Sequence, residues 1–187
     1  MDILVVCGSR NPQGQTARAA AAILEGVRRA GGDGDTVFLP QRRIERCRQC
    51  DDAGWGICRS EGRCVIEDDL GALVDRIAAA EAVAFATPVY FGDLSESLRA
   101  FLDRLRRTCM NQAGKARVAG KRAVGVCVAG GGGGGAPNCC VQLERILNTC
   151  GLDVVDMVPV RRQNLQAKVR ALGQIGQWLA GRAPGVS

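Results

Sequence analysis

The chain has no histidine among its 187 residues. Every catalytic triad, proton relay or metal site that needs an imidazole is therefore excluded. Aromatic residues number seven, comprising two Trp, one Tyr and four Phe, so an adjacent pair of them stands out. Lysine occurs only at 115, 121 and 168, and the net charge of +6 comes mostly from arginine. Such a mildly basic surface suits anionic small molecules. No basic stretch is interleaved with aromatics and no helix-turn-helix or zinc-finger spacing occurs, so nucleic acid is not an expected partner. No run approaches the ~18 apolar residues needed to span a bilayer, so no membrane partner is expected either. The Gly-x-x-x-x-Gly-Lys-Ser/Thr pattern is missing, which disfavours ATP hydrolysis. So is Gly-x-Gly-x-x-Gly, which disfavours a dinucleotide on the first loop. Met1-Asp2 leads straight into Ile-Leu-Val-Val without a basic leader, and a cytoplasmic location is expected. Ten cysteines in that reducing setting argue against a disulfide framework. Metal ligands, redox thiols or buried apolar thiols are the readings they leave.

What is present has a clear rhythm. Residues 2–7 form a continuous apolar run, as befits a parallel strand buried on both faces. A helix is expected from about Thr16 to Ala30, stopped by Gly31-Gly32, and a short strand over Thr36–Leu39. Residues 40–67 are rich in Cys, Arg, Gly and Asp and have no period. Beyond them come a helix from Asp68-Asp69 to about Ala80, strand 82–87, helix 94–107, and a polar, basic connection over 109–121. Strand 123–129, a helix starting near Pro137, strand 153–158 and a last helix complete the chain. Five strands alternating with five helices predict one α/β domain over 1–187, with a Cys-rich loop at about 40–67. The expected fold class is a three-layer α/β sandwich with a five-stranded parallel sheet in the doubly wound order 2-1-3-4-5 and helices on both faces. Its switch point lies between the first and third strands, where ligands bind at the carboxyl edge.

Three loops would converge at that edge. Cys7-Gly8-Ser9-Arg10-Asn11-Pro12-Gln13-Gly14-Gln15-Thr16 precedes the first helix, where free N–H groups and the helix dipole favour an anion. Ser9 and Thr16 offer hydroxyls, Asn11 and Gln15 amides, and Arg10 a fixed positive charge, a set suited to a phosphate monoester. Thr87-Pro88-Val89-Tyr90-Phe91-Gly92-Asp93 follows the third strand and supplies adjacent aromatics as a wall for a flat, conjugated ligand. Asp93, with Glu96 three residues on, is the expected helix cap. The run Gly130–Gly135 follows the fourth strand, and its first members Gly130, Gly131 and Gly132 would let a ring approach the main chain closely. Each loop alone is equally compatible with ordinary packing or an ordinary turn.

In order and together, these motifs resemble the NAD(P)H-dependent FMN reductases of the flavodoxin-like superfamily, and within it the iron–sulfur flavoprotein branch. The resemblance covers roughly residues 1–160. It implies FMN, with phosphate on Ser9, Arg10, Asn11, Gln15 and Thr16 and the isoalloxazine against Pro88, Val89, Tyr90, Phe91, Gly92 and Gly130–Gly132. It also implies NAD(P)H as electron donor, and a homodimer or homotetramer in which a neighbouring subunit helps close the flavin site. Gln13 and Gln15 replace the family's more usual Asn residues, and the loop's Arg sits one place earlier than usual.

Cys47-x2-Cys50-x7-Cys58-x5-Cys64 places four cysteines within eighteen residues of the irregular segment. Soft thiolates select iron–sulfur clusters or zinc. The iron–sulfur flavoproteins carry a similar motif, which implies a [4Fe–4S] cluster on these four residues. Here the gap from Cys50 to Cys58 is longer by five residues. Zinc, or loop thiols made reactive by Arg46, Arg48, Arg59 and Arg63, remain alternative readings. Cys7, Cys127, Cys139 and Cys140 read as core or helix-face residues.

The function expected from all this is an FMN-dependent NAD(P)H oxidoreductase. It would pass electrons through flavin N5 to a small acceptor (a quinone, a flavin or a metal oxyanion) or to a redox protein. One rival is an iron–sulfur flavoprotein electron carrier; another is a flavin-free zinc-binding or thiol redox-sensing protein. Arg117, Lys121 and Arg122 read as an exposed basic loop in preference to a 2′-phosphate site.

Overall fold

The computed structural model describes residues 1–181. In chain order the elements are β1 Asp2–Cys7, α1 Gln15–Arg29, β2 Asp33–Phe38, α2 Ile57–Ser60, α3 Leu70–Ala79, β3 Ala82–Pro88, α4 Glu96–Thr108, α5 Gln112–Ala116, β4 Arg122–Ala129, α6 Ala136–Cys150, β5 Asp153–Arg161 and α7 Leu165–Ala180. All strand pairings are parallel, and the order is β2-β1-β3-β4-β5, the expected doubly wound arrangement. Among the described residues no helix is long and apolar enough to cross a membrane.

Strand alternation divides the core in two. Leu4, Val6, Val83, Phe85 and Cys127 face α3, α4 and α6, whereas Ile3, Val5, Ala84, Val124 and Val126 face α1 and α7. Because both faces are covered, the central strands β1, β3 and β4 are apolar over most of their length. β2 begins three residues earlier than expected, since Asp33, Gly34 and Asp35 pair with β1 despite their poor strand propensity. β5 runs three residues further, to Arg161, because β4 still offers Pro159, Val160 and Arg161 partners at Cys127, Val128 and Ala129. The polar connection after α4 contains the short helix α5, capped by Asn111, whose side chain accepts from the Ala113 N–H at 2.9 Å.

One correction concerns α4. Its cap is Ser95, whose Oγ accepts from the Leu98 N–H, and not Asp93. Asp93 lies two residues outside the cap; its carboxylate accepts from the Leu94 N–H at 2.7 Å and pairs with Arg99. A serine was available at the right place, and Ser, Asp and Asn cap about equally well.

Two contacts fix the outer layers. α1 and α7 pack at backbone distance: a Cβ on Gly26 would lie 2.0 Å from the Gly173 carbonyl oxygen, and one on Gly176 2.0 Å from that of Ile23. On the other face Arg104 of α4 forms a buried bidentate pair with Asp68 at 2.5 and 3.0 Å, the two side chains 1% and 0% exposed. Arg104 also donates to the carbonyls of Glu45 (3.0 Å) and Ile66 (3.4 Å). It thereby ties both ends of the cysteine segment to the helix.

Gly176→Ala is expected to cost about 1–3 kcal/mol, because the added methyl meets backbone that cannot yield without separating the helices. The check is a lower denaturant midpoint with an unchanged slope. Gly71→Ala on α3, where a Cβ meets nothing within 4 Å, is the control and should be neutral or slightly stabilising. Asp68→Asn is expected to cost about 3–5 kcal/mol at neutral pH by leaving Arg104 buried and unpaired. Burial pushes the Asp68 carboxyl up, but the Arg104 guanidinium and the N–H groups of Glu45 and Leu70 outweigh burial and hold it below the usual carboxylate range. A depressed folded-state pKa gives stability that is present above the unfolded pKa and is lost as pH falls through the folded one. The stability gap between wild type and Asp68→Asn should therefore narrow below about pH 4. A gap that stays constant down to acid unfolding would contradict this assignment.

Candidate functional site

The crevice is built from beneath by hydroxyls. The Gly8 N–H donates to the Ala86 carbonyl at 2.8 Å, which pins the first loop onto β3. The Ser97 hydroxyl donates to the Gly8 carbonyl at 3.0 Å, and the Ser95 N–H donates to Thr87 Oγ1 at 3.1 Å. No side chain fits at position 8, where a Cβ would lie 2.3 Å from Ser95 Oγ. Thr87 and Ser95 are buried, and their hydrogen bonds close the base of the second loop.

Above this floor the first loop folds on itself. The Asn11 N–H donates to Ser9 Oγ at 3.2 Å, the Gln13 N–H to Asn11 Oδ1 at 3.0 Å, and the Gly14 N–H to the Asn11 carbonyl at 3.1 Å. α1 then starts with Gly14 as its cap, with no side chain on its first N–H groups and no acid in its first turn. The positive end of α1 is thus left open to an anion. Ser9 and Thr16 are buried beside it, and Gln15 Oε1 is buried with no hydrogen-bond partner among the described residues.

In the second loop, Tyr90 and Asp93 exchange backbone hydrogen bonds at 3.0 and 2.9 Å across Phe91 and Gly92. Both of these adopt positive φ, +51° and +81°. Gly92 has the freedom to do so; Phe91 does not, and its ring stands fully exposed on a left-handed backbone. The third loop is an ordered turn. The Gly133 N–H donates to the Gly130 carbonyl at 2.7 Å, and Gln163 Nε2 donates to the Gly132 carbonyl at 3.3 Å. A Cβ on Gly135 would lie 2.7 Å from Gly92 Cα, so the second and third loops touch. Gly130, Gly131 and Gly132 by contrast face open space.

A cavity of about 460 Å³ lies between the loops. Ser9, Gln15 and Thr16 line it from the first, Pro88, Val89 and Tyr90 from the second, and Gly130 and Gly131 from the third. Val128, Ala129 and Gly134 complete it; a strand's last residues carry no sequence mark of such a role. Arg10 lies in an adjoining cavity of about 400 Å³, with Gln41, Glu96 and Ser97, and Tyr90 is common to both. Asn11, Phe91, Gly92 and Gly132 lie outside the lining of the larger cavity; Asn11 shapes its loop, and Gly92 accepts from Asn138 Nδ2 at 3.0 Å. Arg117, Lys121 and Arg122 lie near the amino end of β4, on the far edge of the sheet. They are engaged there with Asp75, the Ala80 carbonyl and the Leu179 carbonyl respectively. The residues present fit FMN: an open helix terminus for the phosphate, an unpartnered acceptor for a ribityl hydroxyl, and an aromatic and bare backbone for the ring.

The second cluster is the cysteine segment. Cys47, Cys50, Cys58 and Cys64 all line one small cavity, of about 10 Å³, with Trp55, Arg104 and Arg107 among the remaining wall residues. All four thiols are free. The extra residues between Cys50 and Cys58 have a use: Trp55 stacks under Arg107 (4.3 Å to the ring centre) and Arg59 (5.4 Å), and Arg107 donates to the Gly54 carbonyl. Arg48 and Arg63 are paired with Glu45 and Glu61. Sequence reasoning missed Arg104; its place beside the core positions Phe101, Leu102 and Leu105 of its helix is the signal that could have found it. In chemistry the donor set fits a thiolate-bound metal. In placement, no three His, Cys, Asp or Glu side chains among the described residues are arranged to hold one ion.

The other six cysteines are buried. Burial pushes the Cys7 thiol up to about 11. Contact with Cys139 and Cys140 raises Cys127, and contact between Cys109 and Cys150 lowers the first and raises the second. They belong to the core, as the sequence indicated for Cys7, Cys127, Cys139 and Cys140.

The chain is similar to several known proteins. An iron–sulfur flavoprotein of Methanosarcina thermophila is 33% identical over 134 residues, 70% of this chain and 66% of that protein. Another, from Methanocaldococcus jannaschii, is 28% identical over 131 residues, 70% of this chain and 65% of its own length. The chain thus spans just under two thirds of these relatives. Among solved structures, an NAD(P)H:quinone oxidoreductase from Methanothermobacter marburgensis superposes with a TM-score of 0.73 at 20% identity, covering 97% of both chains. An azoreductase from Bacillus anthracis superposes with a TM-score of 0.64 at 15% identity, covering 95% of this chain and 99% of its own; both show the shared fold. Residues 1–178 match the NADPH-dependent FMN reductase family, and the chain belongs to that family.

Proposed function

We propose that this protein is an FMN-dependent NAD(P)H oxidoreductase that delivers electrons to a small acceptor such as a quinone, a flavin or a metal oxyanion. The observation that carries this reading is the 460 Å³ cavity joining an open helix terminus, the unpartnered Gln15 Oε1 and the Tyr90 wall. Bound FMN supplies hydride acceptance at N5, so no side chain need act as acid or base. The protein's part is placement. The first N–H groups of α1, with the Ser9 and Thr16 hydroxyls, hold the phosphate, and Gln15 Oε1 accepts from the ribityl chain. Glycine-run N–H groups offer donors to negative charge on the reduced ring. Arg10, in the adjoining 400 Å³ cavity, offers a charge to an anionic donor or acceptor arriving past Tyr90. Phe91, exposed at the mouth, is the surface that a second copy would cover in a homodimer or homotetramer. Ten free thiols suit a reducing, cytoplasmic setting.

The second reading is an electron carrier holding FMN and a [4Fe–4S] centre on Cys47, Cys50, Cys58 and Cys64. It is favoured by the one cavity that these cysteines share and by the iron–sulfur flavoprotein relatives. The deciding experiment adds NADPH or NADH, without oxygen, to protein loaded with FMN. Rapid loss of the flavin band near ~450 nm, regained on adding quinone, is expected of the reductase. A band that persists under both nicotinamides would favour the carrier. Protein that takes up no FMN at all would sink both readings.

Thr16→Val, which removes one buried hydroxyl with little change of shape, is expected to weaken FMN roughly 10–100-fold, the loss of one hydrogen bond to a charged group. Riboflavin, lacking the phosphate, should bind both proteins about equally. An equal loss for the two ligands would move the phosphate away from α1.

A further inference from the structure

We infer that the cavity of about 400 Å³ beside Tyr90 holds the adenosine diphosphate half of the nicotinamide donor, with Arg10 on its phosphates and Glu96 on its adenosine ribose, so that NADH is taken in preference to NADPH. The inference rests on the reductase reading and deepens it, from a donor of either kind to one of the two.

Three separate pieces of chain wall this cavity. Gly8 and Arg10 come from the first loop, Pro40 and Gln41 from the turn after β2, and Tyr90, Glu96 and Ser97 from the second loop and the start of α4. Tyr90 also lines the 460 Å³ cavity, so a ligand that reacts at the flavin ring can run past Tyr90 from one space into the other. Arg10 and Glu96 stand on different pieces of the wall, and neither has an ion-pair partner among the described residues. Glu96 is not needed to cap α4, because the Ser95 hydroxyl does so.

That pair of charges selects among ligands. A quinone brings neither an anion for Arg10 nor a donor for Glu96. A metal oxyanion engages Arg10 but is repelled by Glu96. The adenosine diphosphate half of a dinucleotide uses both: its phosphates accept from the guanidinium, and its ribose diol donates to the carboxylate. An acidic side chain on that ribose marks NAD recognition, since it accepts from the free 2′-hydroxyl; a 2′-phosphate removes the donor and adds like charge. Pro40 offers apolar surface and Gln41 an amide to the base, and about 400 Å³ is in the range of small-molecule sites. The family's description names NADPH; Glu96 is the residue that argues for the other donor here.

The test titrates FMN-loaded protein calorimetrically with ADP-ribose and with 2′-phospho-ADP-ribose, which lack the nicotinamide and leave the flavin oxidised. ADP-ribose is expected to bind about tenfold more tightly, the size of a solvated like-charge contact. Glu96→Gln should abolish that preference, chiefly by tightening the 2′-phosphate ligand. Arg10→Gln should weaken both ligands about tenfold and leave their ratio alone. If Glu96 only complements the α4 dipole, Glu96→Gln lowers thermal stability and leaves the ratio at its wild-type value, which would overturn its role. Selective loss of the 2′-phosphate ligand in Arg10→Gln would put Arg10 on the ribose and overturn the NADH preference. FMN is counted in every sample and expected equal; its loss from Arg10→Gln would return Arg10 to the flavin phosphate and overturn its part here. Free FMN, which also joins a phosphate to hydroxyls, is titrated alongside. A second FMN that displaces ADP-ribose would assign the cavity to a flavin acceptor and overturn the inference. So would a wild type that binds neither adenylate; the reductase reading is then judged separately, by whether NADH or NADPH bleaches the flavin.

Discussion

The direction reversal between β1 and β3 is the constraint on which the rest of the structure depends. Chain leaving β1 crosses one face of the sheet to reach β2, and chain leaving β3 crosses the other to reach β4. The two exits therefore diverge, and a cleft opens at the carboxyl edge with no need for any particular side chain. Everything placed at that cleft follows from where a strand stops: Cys7, Pro88 and Ala129 are the last residues of β1, β3 and β4. The glycine turn, the tyrosine turn and the open end of α1 are attachments to those three stops. Gly8, Thr87, Ser95 and Ser97 then fasten two of them together from below.

The cysteine segment obeys a different logic. It is irregular, and its own backbone makes few of the hydrogen bonds that would fix it. Its order comes from side chains outside it: Arg107 and Asn111 hold its middle, and one guanidinium buried in the helix behind it holds both ends. Arg104 satisfies carbonyls on both sides of the four cysteines and meets Asp68 where the chain turns into α3. A buried ion pair of this kind is a weak source of net stability but a strong source of geometric definition here, because either partner alone would be intolerable in the core. Asp68 and Arg104 thus set the register of a loop that secondary structure leaves unspecified.

How much of this could be read in the sequence differs by level. The strand order was legible because a doubly apolar strand pattern alternating with amphipathic helices admits few topologies. Ser9, Gln15, Thr16, Pro88, Val89, Tyr90, Gly130 and Gly131 were legible as one site because each lies at a strand or helix boundary on the same edge. Asn11 and Gly132 lie outside that lining because Asn11 is bonded within its own loop, to Ser9, Gln13 and Gly14, and Gly132 is held by Gln163, and no pattern of spacing reports either contact. The capping serine was hidden by an equally good acid two residues earlier. Trp55 and Arg107 were invisible as partners: their contact joins an irregular insertion to a helix some fifty residues on, and only the folded chain brings them together.

That stacking has an optical consequence. The protein has two indoles, Trp55 beside the cysteines and Trp178 on α7, packed near Arg122. Their emission is a sum over two separate neighbourhoods, one next to thiols and the other part of the α7 packing. With Trp178 replaced by phenylalanine, a single emitter would remain, clamped by arginine within the wall of the sulfur-lined cavity. Ultraviolet fluorescence would then follow events among the four thiols by themselves.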